Sequence, residues 1–174
     1  MKIKTADEFK LDEILSSIKH IFFESSSIRS FKGEVEREQF FQNWCGQYLE
    51  NYPHCFFLAI ERGTIAGYLC LFDSLASHPS VPGHAIFANF FKEFPAHFHI
   101  NCHIDFRGKG VGSNLINKAI EYLKKNQVRG VHIITSPGSR NVQFYKNNKF
   151  KEVEIIGSGE RSQLMMGLIL KGPK

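Results

Sequence analysis

Three glycines at alternate positions, Gly108, Gly110 and Gly112, stand where a strand-like pattern gives way to a helical one. Glycine allows a sharp backbone turn and leaves neighbouring N–H groups uncovered. The first N–H groups of a helix have no partner within it, and together with the helix dipole they attract phosphate oxygens. Arg107 and Lys109 add positive charge at the same point. The segment predicts a phosphate-binding loop, although a turn that needs only small residues explains the glycines equally well.

The spacing of these glycines separates the common classes of phosphate-binding loop. A P-loop ends in Gly-Lys followed by Ser or Thr, and the sequence contains no such tripeptide. A dinucleotide-binding turn needs G-x-G-x-x-G and an acidic residue about 20 positions later. Here the third glycine comes one residue early, and the next strand, residues 131–135, carries no acid. Neither nucleotide-binding class is favoured.

Polar side chains at alternate positions, His97, His99, Asn101 and His103, share one face of the strand that precedes the glycine loop. Imidazole titrates near neutral pH and can accept a proton from an ammonium group, directly or through water. His99 and His97 are therefore candidates for a general base, against the plain alternative of hydrogen-bonded structural histidines. The face carries no carboxylate or cysteine, so we predict no metal site.

Helical and strand periodicities place these residues in one mixed α/β domain that spans residues 1–174. Phenylalanines at i, i+3, i+4 and i+7 mark a short helix over residues 87–94, which we interpret as core packing rather than a cover over a substrate pocket. The predicted strands are 1–5, 54–60, 64–72, 96–104, 131–135, 150–156 and 163–170, the other helices are 7–23, 34–52, 111–126 and 139–148, and residues 73–83 form a loop.

The charge of the chain is distributed unevenly. The 174 residues carry a formal net charge of +5, and residues 107–151 hold ten basic residues against one acid. A polyanionic ligand, either a nucleotide-bearing cofactor or nucleic acid, would suit this segment, and a solvated basic face is the equal alternative.

Apolar patterning and cysteine usage indicate the compartment. No apolar run approaches the roughly 20 residues that a membrane span requires, and the first residues lack the apolar stretch of a signal peptide. The four cysteines are widely spaced within apolar segments. We expect a cytoplasmic protein with reduced thiols and no membrane contact.

Two segments resemble the signature motifs of one enzyme family. Residues 100–116 resemble motif A of the GNAT N-acetyltransferases, whose core Arg/Gln-x-x-Gly-x-Gly/Ala is met by Arg107, Gly110 and Gly112. Residues 144–150, Phe-Tyr-Lys-Asn-Asn-Lys-Phe, are similar to motif B. The predicted element order also matches along essentially the whole chain. The resemblance implies the α/β GNAT fold, a mixed, mostly antiparallel seven-stranded sheet flanked by helices and splayed between strands 4 and 5.

That resemblance implies acetyl-CoA as the acetyl donor. Amides at the helix start would hold its pyrophosphate, and main-chain groups before the loop would pair with its pantetheine arm as an added strand. Tyr145 would be the general acid that protonates the departing thiolate, with His99 or His97 as the base. The implied cofactor-binding residues are Cys102, Ile104, Arg107, Gly108, Lys109, Gly110, Val111, Gly112, Ser113, Asn141 and Tyr145.

The sequence departs from the family pattern at three positions. Lys149 replaces the glycine before the closing phenylalanine of motif B, so we expect Asn148 or Lys149 to adopt a left-handed turn. Gly138 stands where the family often has Asn, and Ser139 or Asn141 would substitute. Residues 95–100 and 130–137 are also similar to the acetyltransferase-like domain of some O-GlcNAc hydrolases, whose relatives often carry Asp at the position of Asn101.

The resemblance favours an acetyl-CoA-dependent N-acetyltransferase that acts by direct attack of a primary amine on a small molecule or peptide. A non-catalytic CoA-binding or partner-binding module of the same fold is the alternative. Nucleic-acid binding is not favoured, because the basic residues cluster around the predicted phosphate loop. The chain would be a monomer or a homodimer.

Overall fold

The computed structural model describes residues 1–73 and 84–170. The chain forms two compact units, which are described separately below. The first unit holds Met1–Leu71 and His99–Ala119, and the second holds Phe72–Phe98 and Ile120–Lys174. The expectation of a single domain over residues 1–174 stays a prediction.

Seven strands form a sheet in the order β1-β2-β3-β4-β5-β7-β6. Neighbouring strands run antiparallel in the β1–β2, β2–β3, β5–β7 and β6–β7 pairs, whereas β4 and β5 are parallel. The β4–β5 ladder holds the register pairs Ala96↔Val131 and His97↔His132. This short parallel ladder fits the predicted splay and confirms the predicted fold class. The strands are β1 (Lys2–Thr5), β2 (Phe56–Glu61), β3 (Thr64–Phe72), β4 (Ala96–Cys102), β5 (Gly130–Thr135), β6 (Lys151–Ile156) and β7 (Gln163–Ile169).

The helices follow the predicted order with two local differences. The segment predicted as one helix over 34–52 contains a π-helical turn, Gln42–Gly46, where Gly46 leaves room for the Gln42 side chain. The predicted helix over 87–94 is instead a 3-10 helix, His84–Phe90. The α-helices are α1 (Leu11–Ser25), α2 (Glu34–Phe41), α3 (Gln47–Asn51), α4 (Val111–Lys125) and α5 (Asn141–Asn147).

The β2–β3 hairpin turns on Arg62 and Gly63, whose φ angles are 51° and 80°. Two consecutive left-handed residues are typical of the tight hairpin turn that matches strand twist. The predicted hairpin is therefore confirmed.

Each unit has its own apolar interior. In the first unit α1 buries Ile14, Ile18 and Ile21, as its 3- and 4-residue spacing predicts. In the second unit the fully buried Phe87 packs with Phe94 and Met165. The phenylalanine segment is thus core, as the sequence analysis proposes.

Within the two described ranges, no helix is long and apolar enough to cross a membrane. The predicted loop over 73–83 lies outside the described residues except for Asp73.

Candidate active site

The glycine loop follows a short 3-10 turn, Ile104–Phe106, and ends where α4 begins at Val111. The φ angles of Gly108 and Gly110 are 74° and 81°. A side chain at Gly108 would meet nothing within 4 Å. Glycine is therefore needed here for its backbone conformation rather than for space.

The Asn114 side chain stabilises the first turn of α4 through a hydrogen bond. Asn114 donates from its main-chain N–H and from Nδ2 to the carbonyl of Gly110, at 3.0 and 2.8 Å. The amides at the start of α4, from Val111 to Ser113, precede the first residue that can find a carbonyl four positions back. They form a site with the geometry and partial charge that favour an anion.

Arg107 forms hydrogen bonds with two neighbouring segments in addition to carrying a positive charge. Its Nε donates to the carbonyl of Cys102 at 3.1 Å, and its Nη2 donates to Ser25 Oγ at 3.1 Å. The guanidinium therefore joins the end of β4 and the end of α1 to the base of the loop. Lys109, two residues further along the chain, is exposed. Its Nζ atom lies 5.7 Å from the centroid of the Phe106 ring.

The main-chain groups predicted to meet pantetheine already have partners within the first unit. The Ile104 amide donates to the Glu24 carboxylate at 3.2 Å, and the Ile104 carbonyl accepts from the Arg107 amide. A cofactor that paired with the Ile104 amide as an added strand would have to displace the Glu24 carboxylate from it. Burial raises the pKa of the Cys102 thiol to about 11, with Arg107 opposing the shift, so this neighbour is a neutral thiol at physiological pH.

A surface cavity of about 730 Å³ lies beside the loop in the first unit. Phe106, Lys109 and Val111 line it from the loop side, and Arg62 and Thr64 line it from the β2–β3 hairpin. The lining carries both signs of charge, with Arg62 and Lys109 opposed by Glu61 and Asp105.

His99 lies among aromatic rings. The centroids of Phe22, Tyr68 and Trp44 are 6.2, 6.1 and 6.5 Å from that of its imidazole. Its Nδ1 is buried and has no hydrogen-bond partner among the residues that the structure describes. A ring nitrogen in this state can take up a proton or a water molecule.

Asn101 donates from Nδ2 to the Tyr68 hydroxyl at 2.8 Å. Burial raises the pKa of Tyr68 well above its ordinary value, with the bond from Asn101 opposing that shift, so the phenol is neutral. The amide therefore pairs with a neutral hydroxyl, and position 101 offers no basic group.

Tyr145 lies in α5 of the second unit and is 7% exposed. Its ring packs against Phe98, Phe144 and Phe150, with centroid distances of 6.3, 5.3 and 5.8 Å. Its carbonyl accepts from the Phe150 amide at 3.0 Å, which is possible because Lys149 has a φ of 71°. The predicted left-handed turn is confirmed at Lys149.

Asn141 begins α5, and its Oδ1 accepts from Thr135 Oγ1 at 2.8 Å. The bond joins the end of β5 to the start of α5. The assignment of Asn141 to cofactor binding stays a prediction.

His97 and His99, which share one face in the sequence pattern, have different surroundings in the structure. His97 meets His84 and His132 in the second unit. His103 instead packs against His20 in the first unit, with ring centroids 5.5 Å apart. Sequence reasoning did not single out His84 or His132, because no local spacing links them to His97.

Comparison with known protein families identifies the family to which this chain belongs. The model of the acetyltransferase (GNAT) family matches residues 15–150, which is well over half of the chain and includes the glycine loop and Tyr145. The chain belongs to the GNAT family of acetyltransferases. The two motifs that suggested the resemblance lie inside the matched region.

Relatives of this GNAT acetyltransferase support the family and the fold. An uncharacterized N-acetyltransferase of Methanocaldococcus jannaschii is 45% identical over 53 residues, which are 30% of this chain and 24% of that protein. The chain thus matches about a quarter of that relative's length.

Solved structures share the fold at low identity. The protein named SsHAT has a TM-score of 0.75 at 15% identity, with 98% of each chain covered. A ribosomal-protein-alanine N-acetyltransferase from Brucella melitensis has a TM-score of 0.64 at 17% identity, with 98% of this chain and 100% of that one covered. The closer likeness to O-GlcNAc hydrolase domains and the individual site roles stay predictions.

Proposed function

We propose that this GNAT acetyltransferase transfers the acetyl group of acetyl-CoA to a primary amine by direct attack. The observation that carries the proposal is the glycine loop, with Gly108 and Gly110 in left-handed conformation directly before the N-terminus of α4. Such a turn exposes amides to an anion, which here would be the pyrophosphate of the cofactor. Arg107 and Lys109 add positive charge within the same segment.

The reaction needs a base for the attacking amine, and we assign that role to His99. The amine nitrogen attacks the thioester carbon, the carbon–sulfur bond breaks, and the ammonium proton passes to His99 directly or through water. His99 is only partly buried, so its imidazole is more accessible than a fully buried one. His97 was an equal candidate in the sequence, but its imidazole is 8% exposed and packed against two others.

The remaining roles follow from the family motifs. Tyr145 donates its phenolic proton to the departing sulfur, and a main-chain N–H near residues 100–102 stabilises the oxyanion. Arg107, Lys109, Gly112 and Ser113 act with the other loop residues on the cofactor phosphates. Cys102 and Ile104 guide the pantetheine arm.

The first experiment is calorimetric titration of the purified chain with acetyl-CoA, followed by measurement of thiol release with a panel of amines. The panel should include small diamines, amino sugars and peptides with a free N-terminal alanine, since one protein of the same fold is named for ribosomal-protein alanine. Binding with turnover of at least one amine supports the proposal. Absence of acetyl-CoA binding would overturn it, and binding without turnover on any amine would favour the non-catalytic module.

Tyr145→Phe tests the assigned acid. It removes one oxygen from a ring that keeps its packing against Phe98 and Phe150. We expect the affinity for acetyl-CoA to be unchanged and kcat to fall by about 10²-fold or more, the usual contribution of a general acid. An unchanged kcat would remove Tyr145 from the mechanism without affecting the assignment of the cofactor.

A further inference from the structure

Three buried histidines from three elements meet in the second unit. His84 opens the 3-10 helix, His97 lies in β4 and His132 lies in β5. They are 6%, 8% and 0% exposed. One ligand nitrogen from each lies within 4.8 Å of the other two. Three imidazoles at this range, away from solvent, can act together on one small ligand.

The spacing of two of these nitrogens matches that of ligands on one metal ion. Nε2 of His132 and Nε2 of His84 are 3.4 Å apart. Two nitrogens that each bind Zn²⁺ at 2.0–2.1 Å with a tetrahedral angle between them are about 3.3–3.4 Å apart. The third nitrogen, on His97, lies within 4.8 Å of the other two.

The tautomer of His132 is also that of a metal ligand. Its Nδ1 lies 2.7 Å from the carbonyl oxygen of Phe94. Because a carbonyl can only accept, Nδ1 carries the hydrogen, and Nε2 accepts a hydrogen bond from His84 Nε2 at 3.4 Å, which a metal ion would replace. Metal-binding histidines usually donate their second N–H to a carbonyl or carboxylate in this way.

The accepting carbonyl is held in place by packing. Added Cβ atoms at Gly130 and Gly167 would each collide with the Glu93–Phe94 segment, so these glycines let that segment approach the strands closely. On the other side, the Phe91 ring stacks on His132 with centroids 5.0 Å apart and an interplanar angle of 17°. The orientation of His132 is therefore set by the fold.

We propose that His84, His97 and His132 bind one Zn²⁺ ion, with a water molecule in the fourth position. The prediction of no metal site considered the residues of one strand face, whereas His84 and His132 come from other elements. Neutral imidazoles suit zinc, and three of them with an open position form a known class of zinc coordination. The ion would join the 3-10 helix to β4 and β5 and stabilise the second unit. It would also occupy the lone pair of His97, which leaves His99 as the base.

The test is zinc titration of the tag-free full-length chain after removal of metals with a chelator. Competition against a chromophoric chelator should give one Zn²⁺ per chain, and Co²⁺ should give the intense visible absorption of a tetrahedral site. His84→Ala and His132→Phe each remove one of the three proposed ligands, so each should weaken Zn²⁺ binding by more than the roughly 10–100-fold that loss of a ligand's hydrogen-bond partner causes. The matched control is His20→Gln, which disrupts the partly exposed group His20, Glu24 and His103 in the first unit and should leave the stoichiometry unchanged.

Two results would overturn the proposal: no zinc bound by the wild-type chain, or binding that is lost in His20→Gln and kept in His84→Ala. If the variants do not fold, imidazole ¹⁵N NMR spectra of the wild-type chain still show which histidines bind Zn²⁺. Addition of Zn²⁺ should shift the signals of His84, His97 and His132, and signals that move only for His20 and His103 would contradict the site. None of these measurements depends on acetyl transfer.

Discussion

At the scale of single residues, the proposed proton transfer depends on His99 and Asn101. The two lie in β4 two positions apart, yet one presents a buried ring nitrogen and the other donates to the neutral Tyr68 hydroxyl. An amide at position 101 cannot accept a proton at physiological pH. The base is therefore expected at His99, and a carboxylate introduced at 101 would offer a substitute.

His99→Gln should lower kcat by about 10²-fold, the usual range for loss of a general base, with little change in the affinity for acetyl-CoA. Adding Asn101→Asp to that variant should restore part of the activity, because the new carboxylate lies on the same strand as the lost imidazole. Steady-state kinetics with the best amine of the panel measures both effects. Full activity of His99→Gln would contradict the assignment, and Asn101→Asp alone serves as the control.

At the scale of elements, left-handed residues shape both family motifs. Gly108 and Gly110 turn the chain into α4, and Lys149 turns it from α5 into β6. The spacing of the glycines in motif A predicts the first turn. In motif B the missing glycine led us to expect a left-handed residue at Asn148 or Lys149, and the structure shows it at Lys149.

Gly110→Ala should lower the free energy of unfolding by about 1–2 kcal/mol, since a side chain at a φ of 81° is strained. It should also weaken acetyl-CoA binding several-fold, because relief of the strain would move the amides at the start of α4. Denaturant unfolding and calorimetry measure the two effects. Gly138→Ala is the control, because a Cβ there meets open space, and a change of more than about 0.5 kcal/mol in it would question the argument.

Lys149→Gly should raise the free energy of unfolding by roughly 0.5–1 kcal/mol. The left-handed strain of about 1–2 kcal/mol is removed, and the greater freedom of glycine in the unfolded chain offsets part of the gain. Lys149→Ala keeps the strain and should show no gain in thermal or denaturant unfolding. Equal stability of the two variants would contradict this explanation.

At the scale of the whole molecule, the family model spans residues from both compact units. A single domain, as the sequence predicts, should unfold cooperatively. We therefore expect one calorimetric transition whose van't Hoff and calorimetric enthalpies agree. Two separate transitions would contradict the single-domain prediction.

Bound acetyl-CoA should raise the temperature of that single unfolding transition. A ligand at 100 times its Kd stabilises the state that binds it by about 2.7 kcal/mol. The control is coenzyme A lacking the acetyl group, which shares the phosphates and should give a shift of similar size. A shift with neither compound would count against the proposed cofactor, whereas a similar shift with both would show that the acetyl group contributes little of the affinity.

The sequence by itself determined the features that depend on local chemistry. The strand and helix periods, the hairpin turn at Arg62-Gly63 and the glycine loop follow from side-chain alternation and from the φ preferences of single residues. The left-handed turn near the end of motif B was expected from the family resemblance at Asn148 or Lys149, and the structure places it at Lys149. The π-helical turn at Gln42–Gly46 was missed, because its residues keep a nearly helical spacing.

Only the tertiary structure decided which distant groups meet. His84 and His132 are 48 residues apart in sequence, and no periodicity relates them. They meet His97 because β4 and β5 pair in parallel at His97↔His132, and because two glycines admit the Phe94 segment beside them. The strand histidines that looked equivalent in the sequence thus acquire different partners, since contacts between elements depend on register and packing rather than on spacing along the chain.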